Sequence, residues 1–406
     1  MNSRALHRFA LLATAATFLL LGAGGLVTSH GVGMAVPDWP NTFGYNMFFF
    51  PISQWVGGVF YEHTHRLLAS VVGMLTTILA LWLHGTKARP FLRWTGVLLM
   101  LLAVGTRMAL PARAADALVL GLSGAAAFSA SFVWPRCQAA VPWLRWLGLA
   151  AFFAVVLQGV LGGLRVVLFK DQIGIFHATL AQLFFVLLCA LTLFTSSWWQ
   201  ENFVVARNQF AATSGLGWLF VAATGLILFQ LVLGATMRHQ HAGLAIPDFP
   251  LAYGKLWPAM DAGSVAQYNR HRLEIVALNP ITPVQIGLQM LHRLVALCII
   301  AAIGFCAWKA RRQLGAQHIA AKLALAWSGV ILLQALLGAA TIWSNKAADV
   351  ATAHVLVGAV SLALGALASI LLFAERARFP SPVEDRHAAP YTGQFNPHPA
   401  PAVGFK

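Results

Sequence analysis

The sequence predicts an all-α polytopic membrane protein: two four-helix transmembrane units arranged as parallel repeats, plus an inserted transmembrane hairpin. Three observations carry that prediction. Of the 406 residues, 59% are hydrophobic and only 10% charged, and the mean hydropathy is +0.73, which excludes an ordinary soluble domain. The apolar residues fall in runs of about 20, the length at which a helix crosses the hydrocarbon layer of a bilayer. A string of residues from the first half also returns, in kind and in order, in the second.

Taken in order, the apolar runs predict about ten spans, near residues 9–29, 60–83, 92–110, 117–134, 146–168, 173–196, 214–236, 286–308, 323–343 and 351–373. The first run follows Arg4 and Arg8, as in a signal peptide, but it is long and lacks a small-x-small cleavage site from Gly31 onward, so it reads as a retained span. The third run is the weakest, because Arg107 lies inside it. With the N-terminus placed in the cytoplasm, most basic residues fall in inner segments, among them Lys87, Arg89, Arg93, Arg136, Arg145, Arg207, Lys309, Arg311 and Arg312. Both termini are therefore expected to be cytoplasmic, and the formal charge of +15 reflects topology rather than a nucleic-acid partner. Residues 375–406 are polar and rich in proline, with nothing to bury, and are expected to form a disordered cytoplasmic tail. The four cysteines, Cys137, Cys189, Cys298 and Cys306, lie in spans or at an inner end, so neither an outer-loop disulfide nor CxxC chemistry is expected.

The duplication is read from matched landmarks. After the first span stand Gly33, Met34, Ala35, Val36, Pro37, Asp38, Trp39 and Pro40; after the seventh stand Gly243, Leu244, Ala245, Ile246, Pro247, Asp248, Phe249 and Pro250. Each string closes with a glycine, Gly44 or Gly254, and further pairs follow: His65 with His292, Gln158 with Gln334, Gly162 with Gly338, His177 with His354. The offset between copies is 210 at the proline (247 − 37), 227 at the first histidine (292 − 65) and 176 at the glutamine (334 − 158). The first slip gives the second copy 17 extra residues in its outer loop, between Arg238 and Gln285. The second gives the first copy about 51 extra residues, the third and fourth spans, which form the hairpin. The domains expected are an N-terminal unit from 1–86 with 143–200, the hairpin from 87–142, a C-terminal unit from 201–374 and the tail. An even number of crossings in the insert keeps the two units parallel, related by a pseudo-two-fold along the membrane normal.

Within this frame one stretch is out of place: Glu62, His63, Thr64, His65 and Arg66 stand at the mouth of an apolar run, where ionisable groups are costly unless used. Its copy reads Gln289, Met290, Leu291, His292 and Arg293. Each unit also opens its fourth helix with a histidine, His177 or His354, and all four histidines fall at outer ends. Two histidines on separate helices of a bundle can ligate one haem iron from opposite sides, so two units predict two haem sites. Zinc would want a further ligand such as a carboxylate, which the second unit lacks beside His292. Arg66, Arg165, Arg238 and Arg293 depart from the positive-inside pattern and are expected to pair with haem propionates. Asp38 and Asp248 are expected to cap their loops, and Gly162 and Gly338 to permit close packing.

In this order, the Pro37-Asp38-Trp39-Pro40 loop, Glu62-x-x-His65-Arg66, the run from Gln158 to Val166, His177, the copy at Gln289 to Arg293, and His354 resemble the haem A synthase family. These are membrane enzymes that convert haem O to haem A for terminal oxidases. The resemblance covers the two units and not the hairpin or tail. It implies that His292 and His354, with Gln289 and Arg293 beside them, hold a permanent haem b. It implies equally that His65 and His177, with Arg66 and Arg165, hold the substrate haem O, whose ring methyl is oxidised to a formyl group, with Glu62 catalytic. The residues agree with that asymmetry, since a carboxylate moves protons and Gln289 only hydrogen-bonds. Some members carry a cysteine pair in the outer loops; this chain has none there. The setting implied is a bacterial cytoplasmic membrane with both haem sites toward the outer face, in contact with membrane lipid. Haem O synthase, oxidase assembly factors and an unidentified electron donor are the partners expected.

Two readings from other classes compete. A quinol-linked di-haem b electron carrier would need no difference between Glu62 and Gln289. A transporter built from parallel repeats would place its site near the midplane, not at the outer ends.

Overall fold

A computed structural model describes residues 3–135, 142–203, 215–271 and 280–378. Those residues form twelve α-helices: α1 (Ser3–Ser29), α2 (Gly57–His84), α3 (Ala88–Ala109), α4 (Ala114–Val133), α5 (Pro142–Leu168), α6 (Asp171–Thr195), α7 (Ser197–Phe203), α8 (Gly215–His239), α9 (Ala262–Arg270), α10 (Pro283–Leu314), α11 (Ile319–Trp343) and α12 (Ala348–Arg378). Apart from two isolated β-bridges, no strand occurs among the described residues. Nine helical stretches among them are long and apolar enough to cross a membrane. The longest, Gly57–Ala109, is two helices, because α2 stops at Gly85, whose φ of +56° favours glycine. Counting α2 and α3 separately reconciles nine stretches with the ten expected spans.

Helix ends follow local chemistry. Thr282 caps α10 in a full capping box with Gln285, Pro283 takes the first turn where its missing N–H costs nothing, and Gly315 at φ +87° ends the helix. The second outer loop contains α9, capped by Asp261, within the region where the extra 17 residues were expected. It is held down by Asn269, whose carboxamide accepts from Ile281 N at 2.6 Å and donates to Ile281 O at 2.9 Å, and by Tyr268 stacked on Tyr253. Burial, Tyr268 and Asp248 push the Tyr253 phenol up to about 12, so it keeps donating to the Ala245 carbonyl.

Helices α1, α2, α5 and α6 pack as one four-helix group and α8, α10, α11 and α12 as another; α1 and α6 meet α8 and α12 along the seam. Leu79, Leu83, Phe184, Leu188 and Leu191 fill the first core. Phe220, Ile303 and Trp327 fill the second, where the Trp327 indole N–H donates to Ser361 Oγ at 3.0 Å. Helices α3 and α4 pack mainly on each other, with backbones nearly touching: a Cβ at Gly96 would lie 2.7 Å from Phe128 N. The pair is tied to the rest at both ends, by Asn46 Nδ2 to Asp116 Oδ1 (2.7 Å) and by Trp134 Nε1 to Leu81 O (3.3 Å). Gly96→Leu is therefore expected to splay this pair, read as faster proteolysis at residues 110–113 with pigment content unchanged. Cys137, Arg136, Arg207 and residues 379–406 of the expected tail lie outside the described residues, and α12 itself runs on to Arg378.

Candidate haem site

The loops that follow α1 and α8 share one architecture. In the first, Asp38 accepts from Phe43 N (2.8 Å) and Gly44 N (2.7 Å); in the second, Asp248 accepts from Tyr253 N (2.7 Å) and Gly254 N (2.8 Å). Both aspartates are loop caps, as expected from turn chemistry. Each loop is then gripped from the helix below. Glu62 is 3% exposed; its Oε2 accepts from Val36 N (2.9 Å) and its Oε1 from Arg66 Nη2 (2.7 Å). Gln289, 2% exposed, does the same work without charge: Oε1 accepts from Ile246 N (2.6 Å) while Nε2 donates to Ile246 O (3.2 Å) and Gly243 O (3.3 Å).

The arginines four residues on complete the grip. Arg66 and Arg293, both expected to pair with propionates, turn guanidinium N–H groups to loop carbonyls. Arg66 donates to Val36 O (2.7 Å), Asp38 O (2.7 Å) and Asn41 O (3.0 Å). Arg293 donates to Asp248 O (2.7 Å) and Leu251 O (2.9 Å) and stacks over Phe249. The reason is helical spacing: residues i and i+4 share a face, so the arginine reaches the same loop as Glu62 or Gln289.

The four histidines follow a pattern of their own. Each imidazole rests on a glycine of a neighbouring helix in its own group. A Cβ added at Gly24 of α1 would lie 2.9 Å from His65 Cε1, at Gly162 of α5 3.3 Å from His177, at Gly234 of α8 3.4 Å from His292, and at Gly338 of α11 3.2 Å from His354. His65 lies within electrostatic reach of His177, and His292 of His354, so the structure brings together the members of each pair. Glutamines brace the helices that carry these histidines: Gln158 Nε2 donates to His177 O (3.0 Å) and Gln230 Nε2 to His292 O (2.9 Å). His354 Nδ1 lies 3.1 Å from Gln334 O, a partner that calls for the Nδ1–H tautomer and leaves Nε2 as the electron-pair donor.

These residues suit a haem iron. Nδ1 of His292 is buried with no hydrogen-bond partner among the described residues, so this imidazole is not a satisfied structural histidine. No group of three His, Cys, Asp or Glu able to hold a bare ion occurs among the described residues. An imidazole pair lacking carboxylate ligands is the donor set of a six-coordinate haem. Arg165 lies with its guanidinium over Gly33, within electrostatic reach of both His65 and His177. Gly24, Gly234 and Gln230 were missed by the sequence reading, although Gly24 and Gly234 stand at the loop offset (234 − 24 = 210). Trp39 was seen only as part of its loop; in the fold its indole lies so close to Gly163 that no side chain fits there.

Comparison with known proteins finds that residues 117–366 match the family described as Cytochrome oxidase assembly protein, COX15-CtaA. That range includes His177, His292 and His354. Among curated proteins, the "Heme A synthase" of Geobacillus kaustophilus (strain HTA426) is 24% identical over 388 residues, covering 92% of this chain and 93% of that protein. The "Heme A synthase" of Shouchella clausii (strain KSM-K16) is 24% identical over 280 residues, covering 68% of this chain and 73% of that protein.

Proposed function

This chain belongs to the COX15-CtaA family of cytochrome oxidase assembly proteins, and from that premise we propose that it is a haem A synthase, an integral-membrane oxidoreductase that oxidises the ring methyl of haem O to the formyl group of haem A. The observation that carries the proposal is the pairing of four glycine-seated histidines, one pair in each helix group. One pair alone would suit a simple cytochrome. Two pairs, differing in the charge of the side chain three residues before the first histidine, suit a resident group beside a substrate of the same shape.

In this reading His292 and His354 hold haem b, which when bound supplies one-electron redox chemistry, and His65 and His177 hold haem O. The remaining work belongs to the polypeptide. Gly24 and Gly162 set the imidazole planes on the substrate side, and Gln158 fixes the backbone that carries His177. The Glu62 and Arg66 grip holds the first loop, and with it Trp39 against Gly163, over the outer end of the group. Glu62 places one negative charge where the other half has a neutral amide, and its Oε2, on the Val36 N–H, is the atom that would take up a proton. The matched landmarks and matched loop hydrogen bonds support an internal duplication; the basic residues between spans support both termini in the cytoplasm and both sites toward the outer face of a bacterial cytoplasmic membrane. Haem O synthase, oxidase assembly factors and a separate electron donor would be its partners.

Extraction of pigments from the purified chain, expressed with a haem O source, tests the proposal. Haem b together with haem O or haem A is the expected result. Haem b alone in both sites under every condition would make the protein a di-haem carrier instead. The glycine seats add a graded test. Gly24→Ala, where the new Cβ falls inside normal contact distance, is expected to weaken substrate-haem retention about fivefold or more, in line with about 1–3 kcal/mol for overpacking. Gly234→Ala, at an ordinary contact distance, should change haem b content little. The low-spin absorbance per mole of protein measures both, and equal loss in the two variants would deny the seats a role.

A further inference from the structure

One cationic feature belongs to neither helix group alone. Arg238, near the end of α8 in the second group, reaches across the seam and donates from Nη2 to Gly25 O and to Ser29 Oγ (2.6 Å), both on α1 of the first group. Ser29 Oγ lies in turn 3.3 Å from Thr352 Oγ1 of α12, so the seam is polar at this level. Arg165, in the last turn of α5, brings Nη1 to within 2.9 Å of where a Cβ on Gly33 would stand, just past α1. Two guanidinium groups, one from each group, thus converge on the chain between residues 25 and 33, close enough to repel one another.

The C-terminal carbonyls of α1 offset part of that repulsion, as they do for a cation at any helix C-terminus. Three acids at this end are engaged elsewhere: Glu62 by Arg66 and Val36 N, Asp38 and Asp248 by their own loops. Each arginine also faces a different histidine pair. Arg165 lies within electrostatic reach of His65 and His177, and Arg238 of His354.

We propose that Arg165 and Arg238 form a single cationic seat on the seam, taking one carboxylate from each bound macrocycle and so coupling the two sites electrostatically. This rests on the reading of the histidine pairs as haem ligands and extends it from two separate sites to one charged junction. A positive charge shared by both sites favours the reduced state of each iron, because reduction lowers the positive charge there.

The test is a spectroelectrochemical titration of the full chain loaded with both haems, with Arg238→Gln and Arg238→Lys. Arg238→Gln is expected to lower the potentials of both low-spin species, raising the oxidised-to-reduced ratio at fixed potential about tenfold, or about 59 mV for one electron. Arg238→Lys should restore most of it. A shift of haem b alone, or of neither species, overturns the shared seat while leaving the ligand assignment intact. Absence of two low-spin species in the unmodified chain would instead sink the histidine reading. If Arg238→Gln does not accumulate, the unmodified chain supplied with the dimethyl ester of the substrate haem answers the same question. The ester is expected to bind at least tenfold more weakly than the free acid; equal binding overturns the seat.

Discussion

Glu62→Gln is expected to keep both pigments bound and to lose haem A product by at least a hundredfold, the lower range for removal of a proton-transfer group. The structure contains its own control, because Gln289 occupies the equivalent place and holds the equivalent loop. A glutamine at position 62 can accept from Val36 N through Oε1 and donate to Val36 O through Nε2, as Gln289 does with Ile246. What it cannot do is pair with the Arg66 charge. Breaking a fully buried ion pair costs about 3–5 kcal/mol. The cost here is expected to be smaller, because Arg66 still donates to three loop carbonyls. Glu62→Ala differs: it abandons the Val36 N–H and lets the loop go, so substrate haem should be lost along with activity. Measuring haem A formed per bound haem O in the two variants separates chemistry from anchoring. If Glu62→Gln yields haem A at the normal rate, Glu62 is an anchor only.

His354→Ala is the second large effect. It is expected to remove haem b almost entirely, by more than the 10–100-fold seen when only a ligand's hydrogen-bonding partner is lost, and to spare haem O. Two changes act together: the nitrogen proposed to hold the iron is gone, and Gln334 O loses the Nδ1–H that fixes the imidazole. His354 and the substrate pair belong to different helix groups, so the first core should stand. Chromatography of the pigments extracted from the purified variant gives the two contents separately. Equal depletion of both haems would contradict the division of labour between the groups.

Much of this was legible in the chain itself. Hydropathy placed the spans, and the stretch from Glu62 to Arg66 stood out at the mouth of an apolar run, where it lies near the start of α2. The matched Pro-Asp-aromatic-Pro strings announced matching loops, and the loops do share their hydrogen bonds. The loop contacts of two arginines were not legible, for a physical reason. Arg66 and Arg293 sit beside histidines in the sequence, but a guanidinium takes the nearest carbonyls in space, and those arrive from a loop folded back over it.

By itself, the sequence determined the class of molecule, its helices, its duplicated landmarks and the four imidazoles, because hydropathy, turn chemistry and residue type are properties of short stretches. Only the tertiary structure decided that each imidazole lies on a glycine, that Glu62 and Gln289 do the same mechanical work, and that Arg238 belongs to the seam. Those facts depend on which backbone atoms from distant segments come within about 3 Å of a side chain, the reach of a hydrogen bond or a hard contact, and no local pattern encodes that distance.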